Sequence, residues 1–107
     1  MMMQTSPFEK VTDNHFKIHG EMTLHSVTPL LAQSVSFFNN TNKIIFDLNF
    51  VKKTDNAGLA LLIEWLRLGR KKNVMIEFLN LPAQLVSLAT VCELLTLFTQ
   101  NNHDESK

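Results

Sequence analysis

A strand, a helix and a second strand follow one another in the middle of this 107-residue chain. Residues 43–48 form a nearly continuous apolar run, which is typical of a strand buried on both faces. Residues 57–69 carry apolar side chains at helical spacing, and residues 74–78 form another strand-like run. A helical crossover of this length makes the two flanking strands parallel, with a right-handed connection. The sequence therefore predicts an α/β fold.

Further elements are predicted on the amino-terminal side of this unit. Residues 15–19 alternate apolar and polar side chains, as a strand does, and the alternation resumes at residues 22–24 after a turn or bulge. Thr28 followed by Pro29 indicates an N-cap and a first helical residue, and apolar side chains at helical spacing extend that helix to residue 38.

The complete prediction is a single domain with a core at residues 14–98. A third helix is expected at residues 82–91, and the apolar residues 94–98 form either a short strand or a helical turn. The order β-β-α-β-α-β-α corresponds to one mixed, mostly parallel sheet of four to five strands, packed with three to four helices. Residues 1–10 and 100–107 lack a regular apolar period, so we expect flexible ends there.

The composition limits what kind of protein the chain can be. Its 10 Lys and Arg residues balance 10 Asp and Glu residues, so no overall field attracts nucleic acid. A single cysteine cannot form an intramolecular disulfide. No apolar run approaches the roughly 20 residues needed to span a bilayer, and no secretory signal is visible. We therefore expect a cytoplasmic protein without direct membrane insertion, which could be peripheral at the inner membrane through its partner.

The turn between the central strand and its helix is the most informative segment. Thr54, Asp55 or Asn56 can cap the helix, because each side chain can accept a hydrogen bond from the unpaired N–H groups of a first helical turn. Gly58 in that turn weakens the helix by roughly 1 kcal/mol against Ala, which suggests that another backbone approaches closely there. An N-cap and a packing glycine are a sufficient structural explanation, and no phosphate-binding glycine motif is present.

In this setting the sequence resembles the STAS family. STAS domains carry an Asp, usually a Ser or Thr, and then a Gly-Leu pair at this turn, and the similarity covers residues 16–91. The preceding strand and the first helix also fit the family's element order. The matching residues are Asp55, Asn56, Gly58 and Leu59.

Within the family, the run at residues 55–62 is most similar to the MlaB group, the STAS subunits of MlaFEDB-type phospholipid ABC transporters. The resemblance implies a non-catalytic subunit that docks on the ATPase subunit (MlaF-like) and supports outer-membrane lipid asymmetry. The alternative is an anti-sigma factor antagonist that binds an anti-sigma kinase. Asn56 stands at the position where the family carries its phosphorylated Ser or Thr and has no hydroxyl, so no phosphorylation is expected there.

The helix after the turn has a wider apolar arc than one sheet face requires. Either a neighbouring helix or a partner must cover the surplus, and Trp65 is the favoured anchor in the second case, since Trp is enriched in binding hot spots. The predicted partner-binding residues are Thr54, Asp55, Asn56, Ala57, Gly58, Leu59, Leu61 and Trp65.

Six cations between Lys52 and Lys72 outnumber two acids there. They indicate either a surface for an acidic protein or lipid head groups, or simply a solvated helix end.

Enzymatic alternatives have little support in the sequence. His15 and His19 share one strand face, but no Cys or carboxylate accompanies them at a metal-ligand spacing, so surface or half-buried histidines are the simpler interpretation. Cys92 is expected to pack as a small apolar residue. Asp47 and Asp55 are expected to end a strand and cap a helix and not to form an acid-base pair. We predict no catalysis, no cofactor and no metal.

Overall fold

The computed structural model describes residues 6–92. Six strands and three α-helices follow one another there, with a 3-10 turn (Val35–Phe38) after the first helix. The strands are β1 (Phe8–Thr12), β2 (His15–Ile18), β3 (Gly20–Met22), β4 (Lys43–Asp47), β5 (Val51–Thr54) and β6 (Met75–Leu79). The helices are α1 (Val27–Ser34), α2 (Asn56–Lys72) and α3 (Ala83–Val91).

Four strands form one sheet in the order β1-β2-β4-β6, in which only β1 runs antiparallel to its neighbour. The α/β class and the mixed, mostly parallel sheet are therefore confirmed. A second, two-stranded sheet pairs β3 with β5 in parallel. Strand β3 follows β2 almost directly, and β5 follows β4 in the same way. The small sheet therefore lies beyond the carboxyl ends of these two main strands, and α2 begins at the end of β5.

Two strands were missed by the sequence prediction. Strand β1 lies partly in the expected flexible end, and of its five residues only Phe8 is buried, so its sequence shows no alternation. Strand β5 lies between the predicted strand at residues 43–48 and the predicted helix at residues 57–69, and it exposes Lys52 and Lys53. Strand β1 pairs with the next strand β2 across a two-residue turn, and β5 pairs with the distant β3. Few side chains of either strand are buried, which leaves no local apolar period to detect.

The central strand is buried on one face only. Ile44, Phe46 and Leu48 are buried, whereas Ile45 between them is only half-buried, so the prediction of a strand buried on both faces is wrong. Helix α2 covers the buried face, where the Trp65 ring stacks on Phe46 with 4.0 Å between ring centroids.

A side-chain cap fixes the start of α2, whereas α1 and α3 begin without one. Helix α1 begins at Val27 after Ser26, two residues before the predicted first helical residue Pro29, and gives way to the 3-10 turn after Ser34. Of the three candidate caps for α2, Asp55 is the N-cap. Helix α2 ends at Asn73, whose left-handed backbone (φ 60°) closes the last turn. The predicted element at residues 94–98 lies outside the described residues. Between residues 6 and 92, none of the helices has the length and apolar character to cross a membrane.

Candidate functional site

The site is built on the junction between β5 and α2. Thr54, the last residue of β5, is buried beside Met22 of β3, and its Oγ1 donates a hydrogen bond of 3.0 Å to the Met22 carbonyl. This bond closes the end of the small sheet and fixes the direction in which α2 leaves it.

Asp55 hydrogen-bonds to two separate segments of the chain. Its Oδ1 accepts a hydrogen bond of 2.9 Å from the backbone N–H of Ala57, in the first turn of α2. Its Oδ2 accepts one of 3.2 Å from the backbone N–H of Leu24, in the loop between β3 and α1. The carboxylate therefore caps the helix and joins it to that loop.

Gly58 allows the small sheet to approach α2. A Cβ at this position would lie 2.6 Å from the Met22 carbonyl oxygen and would overlap Thr54 Oγ1. The predicted close approach of another backbone is therefore confirmed. Leu59 follows Gly58 and is buried in the core.

A groove of about 280 Å³ runs between α1 and α2 beside this junction. Leu61 forms part of its floor, while Ala57 and Ala60 keep the α2 wall low because their side chains are short. Glu64 is the one charged residue among those that line the groove, and its carboxylate pairs with the Arg67 guanidinium at 3.3 Å. The lining residues are Val27, Thr28, Leu31, Ala57, Ala60, Leu61 and Glu64.

Leu24 stands at the edge of this region and was not predicted as a site residue. Its side chain is 71% exposed, although its backbone is held by Asp55. The sequence placed Leu24 at the end of an alternating strand, and no local pattern distinguishes an exposed leucine from a buried one. The Leu24 N–H donates its hydrogen bond to a residue 31 positions away, a contact that no local pattern predicts.

A family model described as "Mlab, STAS domain" matches residues 9–99 of the sequence. The chain is a member of the STAS family. No curated protein sequence matches the chain at a significant level.

Solved structures agree with this fold. The anti-sigma factor antagonist SpoIIAA in its unphosphorylated form matches with a TM-score of 0.61 and 18% identity, over 78% of this chain and 79% of that one. Two crystal structures of Mglu, one described as its native form, match with TM-scores of 0.53 and 0.55 and identities of 16% and 15%. These matches cover 69% and 70% of this chain but only 19% and 22% of the Mglu chains, so the STAS fold corresponds to about a fifth of Mglu.

The STAS fold buries several residues that the sequence placed at the partner surface. Trp65 is 0% exposed, and its Nε1 donates a hydrogen bond of 2.8 Å to Ser34 Oγ. The prediction that Trp65 anchors a partner is therefore wrong, because α1, the 3-10 turn and the sheet cover this part of α2. Thr54, Gly58 and Leu59 are also buried.

Asn56 and Ala57 remain accessible at the start of α2. Asn56 is exposed and Ala57 is half-buried on the wall of the groove. Leu61 is only 3% exposed, and it is one of the residues that line the groove. The residues that a partner can reach therefore lie nearer to α1 and to the loop that carries Leu24 than the sequence predicted.

Among residues 6–92, the His, Cys and acidic side chains outside the groove form no common centre. His19 pairs with Glu9 at 2.7 Å and stacks on Phe50, whereas the His15 Nε2 is buried without a hydrogen-bond partner. In residues 6–92, no three His, Cys, Asp or Glu side chains are grouped closely enough to hold a metal. Cys92 is exposed, so the prediction that it packs as a small apolar residue is wrong.

Asp47 and Asp55 have separate structural tasks. Asp47 Oδ1 accepts hydrogen bonds of 3.0 Å from the Asn49 backbone and from Asn80 Nδ2, which joins the ends of β4 and β6. Asp55 is occupied at the start of α2.

The predicted basic segment divides into two groups. Lys52 and Lys53 lie on β5, before α2 begins, and the larger group lies in and near its last turn. The 17 residues of α2 make a helix about 25 Å long, so the two groups lie toward opposite ends of it. The second group (Arg67, Arg70, Lys71 and Lys72) lies where the helix dipole favours cations.

Proposed function

We propose that this STAS domain is the non-catalytic interaction subunit of an MlaFEDB-type phospholipid ABC transporter, and that it docks on the ATPase subunit. In that role it lies in the cytoplasm, peripheral to the inner membrane through its partner, and supports outer-membrane lipid asymmetry. Membership of the family described as "Mlab, STAS domain" supports this assignment.

The groove between α1 and α2 is the observation on which the proposal rests. It lies directly beside the turn that the family resemblance marks, and most of its lining side chains are apolar. An apolar groove next to an exposed leucine gains free energy when a protein covers it, at about 25 cal/mol for each Å² of apolar surface removed from water. A partner helix laid between α1 and α2 would bury this surface.

Asn56 supports a docking role that is not switched by a kinase. Its side chain is exposed beside the groove and has no hydroxyl that could accept phosphate. A phosphate at this position would add nearly two negative charges to the docking surface. Without phosphorylation at this position, the fraction of the domain that is bound depends on the concentration of the partner.

The second candidate is an anti-sigma factor antagonist. The similarity of its fold to SpoIIAA, with a TM-score of 0.61, favours this alternative. In that case the same groove and turn would bind a kinase-like anti-sigma factor, and Asn56 would make the complex insensitive to phosphorylation.

Co-purification with the ATPase subunit tests the first proposal. Ala60→Arg places a long charged side chain in the groove, and Asn56→Arg does so beside the turn. We expect both to lower recovery of the ATPase at least tenfold. The matched control is Met75→Arg, because Met75 is an exposed apolar residue (45%) at the amino end of β6, away from the start of α2.

All variants are first compared with the wild-type chain by thermal unfolding, so that loss of the fold is recognised. Equal recovery of the ATPase by the wild-type, Ala60→Arg and Asn56→Arg chains would contradict docking at this surface. Recovery of an anti-sigma kinase but not of the ATPase by the wild-type chain would establish the second candidate instead. Leu59 is unsuitable for this test, because it is buried and a charge there would disturb the fold.

A further inference from the structure

The loop between β3 and α1 presents an exposed leucine from a fixed backbone. We propose that the Asp55 carboxylate is a positioning group, and that it holds this loop so that Leu24 projects as an apolar knob into a matching pocket of the partner protein. This inference rests on the proposed function, because the partner is taken to be the ATPase subunit.

The hydrogen bonds around Leu24 leave its backbone little freedom. Asp55 Oδ2 accepts from the Leu24 N–H at 3.2 Å, and on the amino side the Thr23 N–H donates to Ser26 Oγ at 2.9 Å. Ser26 Oγ itself donates to the Glu21 carbonyl at 2.8 Å, and the Ser26 N–H donates to the Thr23 carbonyl at 2.9 Å. The loop is therefore tied to α2 on one side and folded on itself on the other.

Rigid presentation is what a binding knob requires. A side chain on a fixed backbone loses less conformational freedom on binding than one on a mobile loop, so more of its burial energy contributes to affinity. Both carboxylate oxygens of Asp55 are already occupied within the chain. In this proposal Asp55 acts on the partner through the Leu24 backbone that it holds.

The charge around the knob favours a protein pocket over a membrane surface. Residues 18–42 contain no Lys or Arg, and the nearby cation Lys53, exposed on the neighbouring strand β5, stands in register with the acidic Glu21, so no basic cluster surrounds the knob. Anionic lipid head groups attract basic residues, so an exposed apolar side chain that binds such a membrane is usually accompanied by Lys or Arg. The Leu24 backbone is bonded to Asp55, two residues before Ala57 on the groove wall, so Leu24 stands beside the surface where we propose that the partner docks.

Asp55→Asn separates the two functions of the carboxylate. An amide has one acceptor oxygen and one donor nitrogen, and Asn is as good an N-cap as Asp. The cap to Ala57 is therefore retained, while the Leu24 N–H faces a donor. In amide hydrogen exchange measured by NMR, we expect Leu24 to lose protection at least fivefold and Ala57 to keep it. Unchanged protection at Leu24 would overturn the positioning role of Asp55.

Binding of the purified ATPase subunit to four chains tests the knob itself: wild type, Leu24→Ala, Asp55→Asn and the double variant. Burial of a leucine is worth about 1.5–3 kcal/mol, so we expect Leu24→Ala to weaken binding roughly 10- to 100-fold. Asp55→Asn should weaken it less, and the double variant should bind no more weakly than Leu24→Ala alone, because Asp55 acts through Leu24. Met75→Ala is the control for an exposed apolar residue elsewhere.

The outcomes distinguish this inference from the function on which it rests. If the wild-type chain does not bind the ATPase, the proposed function is wrong, and the knob is overturned with it. If the wild-type chain binds and Leu24→Ala binds equally well, only the knob is wrong. Additive losses in the double variant would show that Asp55 contributes to binding independently of Leu24, against the positioning role.

Discussion

Gly58 offers the sharpest test of how the site is assembled. Gly58→Ala adds one Cβ in the first turn of α2, where it would lie 2.6 Å from the Met22 carbonyl oxygen and overlap Thr54 Oγ1. Both are parts of the small sheet, and they are joined to each other by a buried hydrogen bond of 3.0 Å. The added methyl group must therefore separate α2 from β3 or rotate the threonine hydroxyl away from its acceptor.

One stabilising and two destabilising terms decide the size of the effect. Replacing Gly by Ala favours a helix by about 1 kcal/mol. Forcing an extra carbon into a packed interior costs about 1–3 kcal/mol, and loss of the buried bond from Thr54 to Met22 costs about 1–3 kcal/mol more. The net expectation is a loss of about 3 kcal/mol in the free energy of unfolding. For a domain of this size the unfolding midpoint then falls by roughly 12–24 °C.

Urea and thermal unfolding followed by circular dichroism measure this loss directly. Ala60→Gly is the matched control, since it lies two residues along the same helix at an exposed position and should cost only the propensity term of about 1 kcal/mol. A Gly58→Ala chain as stable as the wild type, or more stable, would refute the close approach of β3 to α2.

Three further predictions concern stability. Trp65→Phe removes the donor to Ser34, and Ser34→Ala removes its acceptor; each should cost at least about 1–3 kcal/mol, with less than additive loss in the double variant by urea unfolding. Asn73 has a positive φ, so Asn73→Val should lower stability by about 1–2 kcal/mol while Asn73→Gly should not, and equal midpoints for the two would contradict the left-handed cap. Asp47→Ala removes the acceptor of Asn80 and of a backbone N–H, so a loss of about 1–3 kcal/mol is expected, and a loss confined to the error of the measurement would exclude a structural role for these bonds.

The order of elements could be read from the sequence where each element has a local signal. Helix α2 combines an acidic N-cap, apolar side chains at helical spacing and three cations in its last turn, and it was predicted to within a few residues. Strands β4 and β6 were recognised by their apolar runs. Strands β1 and β5 have no such signal, since few of their side chains are buried. Strand β1 forms by pairing with the adjacent β2, and β5 by pairing with the distant β3.

The position of the candidate site could be predicted from the sequence, but the set of side chains accessible there could not. The turn at Asp55 and the close approach at Gly58 follow from capping and from backbone sterics, which act within a few residues. The choice of accessible side chains does not, as the exposed Leu24 and the buried Trp65 show. Each has a partner about 30 positions away in the chain, and no local pattern contains that information.

By itself, the sequence determined the α/β class, the strand-turn-helix unit and the absence of a hydroxyl at Asn56, because periodicity, capping and residue chemistry are local properties. Tertiary structure alone decided which apolar residues are left for a partner. Packing of α1 and the sheet against α2 covers Trp65, and the carboxylate of Asp55 accepts a hydrogen bond from the backbone of the exposed Leu24. Burial is a property of two surfaces brought together, so it is settled only when segments distant in the sequence meet.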